Sequence, residues 1–213
     1  MYKIVQWFIK ITGYIPSLFY FKKKIYYENR KKQGRRIKGG AIVISNHTSI
    51  YDFALYMFTF PLNNLRPLVG ETLYKKNAIF RLFLNMLGGI KIERFDYDFS
   101  FMSKARKCIE KKQKVLIFPE GRLPKEGEGF LEFKPSFVYM ALETKVPIIP
   151  VYTNGSYKKK ERARVIVGEP LYLYELYDNS KSEKENIDLL SNHARNYIIR
   201  LGMKLDEKRE EEK

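Results

Sequence analysis

A single cysteine, Cys108, in 213 residues leaves a disulfide without a second thiol and cannot build a cysteine-based zinc site. A reducing compartment fits that usage. Two histidines, His47 and His193, are too few for a histidine-rich metal centre, and neither a metal nor a redox cofactor is expected. Long apolar runs are also missing. The longest uncharged run near the N-terminus, residues 11–21, contains Gly13 and Pro16 and falls far short of the roughly 20 residues that span a bilayer. No transmembrane helix is expected. Lys10 interrupts the apolar region and no small-residue cleavage site follows, which disfavours a cleaved signal peptide. Acids are scarce at this end too: residues 1–38 hold eleven Lys or Arg and one acid, Glu28, or +10 of the total +16. Such a charge excess points to an anionic partner and leaves the fold open.

What is present is a foldable chain. Its hydrophobic content of 45%, with 15% aromatic, is too high for disorder, while 30% charged residues exclude a multi-span membrane protein. One domain with small terminal additions suits this length.

The basic N-terminal stretch is also aromatic. Read as a helix, residues 1–12 place Ile4, Phe8 and Ile11 on one side, flanked by Trp7, with Lys3, Gln6 and Lys10 on the other. Gly13 and Pro16 then punctuate the pattern, and residues 17–21 run into Lys22, Lys23 and Lys24. The expectation is an amphipathic two-helix motif over residues 1–38 that docks on a membrane through Trp7, Phe8 and Lys22–Lys24. The alternative is that these aromatics cap the core and the lysines form a solvated face.

From residue 39 to 213, short apolar runs alternate with helical segments. Strands are expected at residues 41–45, 65–69, 89–92, 114–118, 147–152 and 164–167. Helices are expected at 49–60, 72–87, 99–112, 135–145 and 183–208. This is an α/β pattern with a mixed, largely parallel sheet flanked by helices.

Polar groups cluster where these strands end, the usual place for a site in such a sheet. After the first strand comes Ser45-Asn46-His47-Thr48-Ser49-Ile50-Tyr51-Asp52. With Ser49 opening a helix, the Asp52 carboxylate reaches back towards the His47 imidazole. A histidine held by a carboxylate is a general base. The plainer alternative is that Asp52 caps the helix and His47 is a satisfied turn residue. A second strand exit reads Phe118-Pro119-Glu120-Gly121-Arg122, where Arg122 can clamp a phosphate and Gly121 lets the backbone approach a ligand. A third holds Arg94, shortly after Gly89.

Together these segments resemble the glycerolipid acyltransferases that make phosphatidic acid, the 1-acylglycerol-3-phosphate acyltransferase family, over residues 39–168. Asn46, His47 and Asp52 match the family's Asn-His followed by four residues and Asp. Gly89 and Arg94 match its second motif, residues 118–122 its third, and Val146-Pro147-Ile148-Ile149-Pro150 its fourth. Two features depart from the family pattern: Arg122 follows Gly121 directly, and Phe133-Lys134 is followed by Pro135 instead of a nearby glycine.

The resemblance implies that His47, with Asp52, deprotonates a lysophospholipid hydroxyl. That hydroxyl attacks the thioester of acyl-CoA or acyl-carrier protein with no acyl-enzyme, in keeping with the lack of a Gly-x-Ser-x-Gly elbow. Arg94 and Arg122 would hold the acceptor phosphate, with Glu120 ordering that loop or pairing with an Arg and Gly121 completing the phosphate site, on the cytoplasmic face of an anionic membrane. The acceptor could also be another lysophospholipid or glycerol 3-phosphate. A non-catalytic membrane-binding protein is a rival, as is a nucleic-acid-binding one, although the latter leaves His47, Asp52 and the Pro-Glu-Gly-Arg loop without a role. His193 is expected on a helix surface, and the apolar residues of 53–60 and 79–87 in the core or lining an acyl tunnel.

Overall fold

The structure is a computed structural model that describes residues 1–92, 100–157 and 162–212. It begins with a helix, α1 (Tyr2–Phe21), followed by β1 (Lys24–Tyr27), β2 (Ala41–Ser45), α2 (Asp52–Thr59), β3 (Leu65–Gly70), α3 (Glu71–Tyr74) and α4 (Ala78–Met86). Then come β4 (Ile90–Ile92), α5 (Ser100–Glu110), β5 (Lys114–Ile117), α6 (Ser136–Thr144), β6 (Ile148–Thr153), β7 (Arg164–Val167), a 3-10 turn at Leu173–Leu176, and α7 (Glu183–Glu210).

The strands form a sheet in the order β1-β7-β6-β2-β5-β3-β4. Every adjacent pair is parallel except β6 with β7. Alternate residues of the central strands enter opposite cores, as the two-residue period of a strand requires. Ile42, Ile44, Val115 and Ile117 meet α5, α6 and α7, whereas Val43 and Leu116 meet α1 and α2. Consequently β2 leads into a helix on one face while its neighbour β5 leads into α6 on the other. The two chains diverge at their carboxyl ends and open a crevice between them, which is where an open α/β sheet places its ligands.

One expectation about the N-terminal region needs correction. In place of a two-helix hairpin there is one helix running through Gly13 and Pro16. Its last turns are held by packing: Gly13 lies so close to the Phe58 ring of α2 that a Cβ there would sit 3.0 Å from Cζ, and Ser17 and Phe21 are buried. Tertiary contact outweighs the lost proline N–H. Residues 24–37 are joined to the rest of the fold by strand pairing and burial. β1 pairs with β7 in register from Lys24 with Arg164 to Tyr27 with Val167, and Ile37 is buried in the core. The helix expected at 72–87 is also interrupted, with Asn77 capping α4 by accepting from Phe80 N at 2.7 Å.

The orientation of α1 inverts the usual rule for a surface helix. Its buried side chains include Gln6, Lys10 and Ser17, while Ile4, Phe8, Ile11, Ile15 and Phe19 point outward, Phe8 with 65% and Phe19 with 75% of its surface exposed. Gln6 donates to the carbonyls of Leu65 and Leu87 at 2.6 and 2.7 Å and accepts from Leu65 N at 3.1 Å. Lys10 donates to the Asn63 carbonyl and to Asn64 Oδ1, and burial lowers its pKa to about 8. Beside α1, the amphipathic α4 also turns Ile79, Leu82 and Phe83 outward. The apolar residues of α2 are instead core: Leu55, Tyr56, Met57 and Phe58 are buried. Among the described residues no helix is long and apolar enough to cross a membrane.

Candidate active site

β2 delivers His47 and β5 delivers Phe118 to the crevice between their ends. His47 Nδ1 lies 2.8 Å from Asp52 Oδ2. A carboxylate acceptor requires the proton on Nδ1, so in the neutral imidazole Nε2 is the nitrogen left to accept one. The ring stacks on Phe118, with centroids 4.1 Å apart and planes 17° from parallel, and Tyr56 lies behind Phe118 at 6.1 Å. The imidazole is therefore fixed by a bond along its edge and by a ring against its face. Its side chain keeps 21% exposure, enough for a substrate to reach.

Asp52 begins α2 and is fully buried, a costly position for a carboxylate without partners. It has them. Oδ2 accepts from the backbone of Thr48 and Ser49 at 2.8 and 3.0 Å besides His47, and Oδ1 accepts from Thr48 Oγ1 at 2.9 Å and from the Tyr157 hydroxyl. The first turn of α2 adds the favourable end of its dipole. Below this shell Ser45 Oγ and the Tyr56 hydroxyl share a hydrogen bond, and Asn46 clamps the end of β2 to β6. Its Nδ2 donates to the Thr153 carbonyl at 2.9 Å and its Oδ1 accepts from Thr153 N at 3.0 Å. Gly155 is needed here: at φ +66° it passes so close to Thr48 that a Cβ would lie 2.7 Å from that side chain.

Glu120 joins the two strand exits and orders the loop through backbone bonds, with no ion pair to an Arg among the described residues. Its carboxylate is buried and accepts from His47 N at 3.0 Å and Leu131 N at 3.4 Å. Burial raises its pKa, and the two amide bonds partly offset that rise. Glu120 thus braces the backbone of His47. Gly121 adopts the left-handed conformation at φ +71°, with the Lys134 side chain lying over it. Arg122 turns away and binds Glu128 bidentately, Nη1 to Oε2 at 2.6 Å and Nη2 to Oε1 at 3.0 Å, on the exposed loop beyond. Arg94 lies outside the described residues.

Of the expected docking residues, Trp7, Phe8 and Lys22 are exposed. Lys23 and Lys24 are not open cations. The Lys23 ammonium sits over the rings of Tyr14 and Phe58 and donates to Ser17 Oγ at 3.2 Å, with burial lowering its pKa to about 8, while Lys24 pairs with Glu212. His193 is exposed on α7, as expected. Thr48 and Tyr157 belong to the site although no spacing marks them. Tyr157 is 105 residues from Asp52, and only the sheet topology brings them together.

A buried, fully bonded Asp, a partly exposed His oriented through Nδ1 so that Nε2 is free to accept a proton, and a carboxylate tying the two loops together suit proton abstraction from a hydroxyl. The model of the acyltransferase family matches residues 23–154, well over half the chain. The chain belongs to the acyltransferase family. It is similar to the 1-acyl-sn-glycerol-3-phosphate acyltransferase of Haemophilus influenzae, 27% identical over 96% of this chain and 82% of that protein. The enzyme of that name from Salmonella typhimurium is 29% identical over 91% and 78%. A coconut (Cocos nucifera) relative of that name is 32% identical, but the match spans 55% of this chain and 38% of the plant protein. In fold the chain is similar to the crystal structure of the 1-acyl-sn-glycerophosphate acyltransferase of Thermotoga maritima, with a TM-score of 0.65 at 20% identity, covering 94% of this chain and 81% of that one.

Proposed function

We propose that this acyltransferase moves a fatty acyl group from a thioester, acyl-CoA or acyl-carrier protein, to the free hydroxyl of 1-acylglycerol-3-phosphate, giving phosphatidic acid. The observation that carries the reading is the His47–Asp52 pair at the β2 exit. His47 Nε2 takes the hydroxyl proton as the oxygen attacks the thioester carbonyl, and Asp52 stabilises the imidazolium that forms. Collapse of the tetrahedral intermediate breaks the C–S bond, and the imidazolium returns the proton to the departing sulfur. No nucleophile of the protein is acylated. Cys108 is buried in α5, away from the strand exits.

Arg122 serves the acceptor phosphate by exchanging one bidentate partner, Glu128, for another. Arg94 is assigned the same role on its motif match. Residues 1–21 are the docking element, and the lipid meets the outward side of α1, with Trp7 and Phe8 entering the acyl region and Lys22 at the headgroups. Ile50 and Tyr51, just after the base, are exposed, and Tyr51 meets Tyr20 of α1 at 5.7 Å, which supports a site near that surface. The basic N-terminal region favours the anionic cytoplasmic leaflet, each cation near it contributing about 1 kcal/mol.

The test supplies purified protein with lysophosphatidic acid in vesicles and either donor, with His47→Ala as control, and identifies the lipid product by mass spectrometry. Phosphatidic acid that disappears in the variant is expected. Product from a different lysolipid or from glycerol 3-phosphate alone would overturn the acceptor, and no transfer to any of these would overturn the reading.

A further inference from the structure

We infer that Tyr157, a residue outside the matched motifs, positions Asp52 and sets the basicity of His47. The inference rests on His47 being the base of the proposed reaction. Asp52 Oδ1 is the carboxylate oxygen facing away from His47, and Tyr157 and Thr48 Oγ1 both donate to it. Burial and the adjacent Asp52 charge raise the Tyr157 pKa, so the phenol remains a donor at any working pH. A proton donated to Oδ1 draws charge from the carboxylate, which weakens the hold of Oδ2 on an imidazolium. It also fixes the rotation of the carboxylate about its Cβ–Cγ bond.

The ring that carries this hydroxyl is itself held. Phe21, in the last turn of α1, meets it edge-on at 5.8 Å, and Tyr51, the residue before Asp52, lies at 6.0 Å. At the other end of the same loop Ala163 N donates to the Phe21 carbonyl at 2.9 Å, and Lys24 N donates to the Ala163 carbonyl at 2.9 Å. Ala163 and Tyr157 are thus each in contact with the end of α1, and the phenol meets Asp52 beside it. Among the described residues, the other ionisable groups facing the pair are Tyr56, beneath Asp52, and Glu120, on the His47 backbone amide. Neither of them donates to Asp52, whose Oδ1 accepts from the Tyr157 and Thr48 hydroxyls.

Tyr157→Phe keeps the ring and removes only the hydroxyl. Two histidines in the chain make the direct readout simple: imidazole signals are followed by NMR against pH, and the signal absent from His47→Ala belongs to His47. The expected result is a His47 titration moved upward by about half a pH unit in Tyr157→Phe. The acid limb of kcat/KM moves by the same amount, with a roughly ten-fold lower kcat and little change in KM. A residue that merely packs would leave the titration and the limb where they were, and that result overturns the inference. If the parent protein makes no product, the proposed reaction fails, while the NMR titration still decides whether Tyr157 tunes His47.

Discussion

The first and last helices obey opposite rules. α7 buries Ile187, Leu190, Ala194, Ile198, Leu201 and Leu205 along one stripe and turns its charges outward, as a helix does when its other side meets water. α1 buries Gln6, Lys10 and Ser17 and turns its isoleucines and phenylalanines outward. Both are anchored firmly, α7 by apolar area and α1 by hydrogen bonds to the Leu65, Leu87 and Asn63 carbonyls. The contrast teaches that the hydrophobic side of a helix identifies its surroundings only once the fold shows which side is covered. For α1 the uncovered side is apolar, the neighbouring α4 adds outward Ile79, Leu82 and Phe83, and at the C-terminal end of α1 Tyr20 meets Tyr51.

That difference can be sharpened first by stability. Ile198→Ala in α7 is expected to cost about 3–4 kcal/mol in urea denaturation, the usual consequence of a cavity in a core. Gln6→Leu in α1, a change towards the more hydrophobic residue, is expected to cost about 2–3 kcal/mol because it leaves buried backbone groups of Leu65 and Leu87 without partners. A neutral or stabilising Gln6→Leu would contradict the inverted seating of α1.

Vesicle binding separates the outward faces. Phe8→Glu and Phe19→Glu are each expected to lower partitioning onto anionic vesicles by roughly ten-fold without altering the denaturation midpoint. Leu189→Glu, at an exposed apolar site on α7, should leave binding unchanged. Ile79→Glu on α4 is expected to give a smaller loss, and its size reports how far the lipid-facing surface extends.

The smallest effect concerns pH. Lys10 titrates at about 8 in the fold and at about 10.5 when unfolded. Below pH 8 both states carry the proton and the fold bears the cost of burying it. Between those values the folded state has released its proton while the unfolded state keeps it, so stability rises with pH. Lys23 adds the same slope. Lys10→Met should flatten the rise in unfolding free energy measured from pH 7.5 to 9.5.

Much of the fold was legible in the sequence. The runs that became β2, β5 and β6 are apolar on both faces because helices cover both sides of a parallel sheet. β1 was missed because Lys-Ile-Tyr-Tyr carries no such run, being half-buried at the sheet edge. The break of α1 at Pro16 was expected from local rules that packing against α2 overrides. At the site, His47 and Asp52 were legible because five residues across a strand–helix junction bring the two side chains together. Glu120 was legible only as ordering its own loop or pairing with an Arg, because the His47 amide it accepts from is 73 residues away. Tyr157 had no local signal, because the contact with Asp52 exists only through the pairing of β2 with β6.

The most direct test of the account is the single-turnover rate of acyl transfer to lysophosphatidic acid on vesicles, compared between the parent protein and His47→Ala with the bound fraction measured in the same samples. The account predicts a fall of about a thousand-fold or more at equal vesicle binding. Transfer by His47→Ala at the parental rate would contradict it.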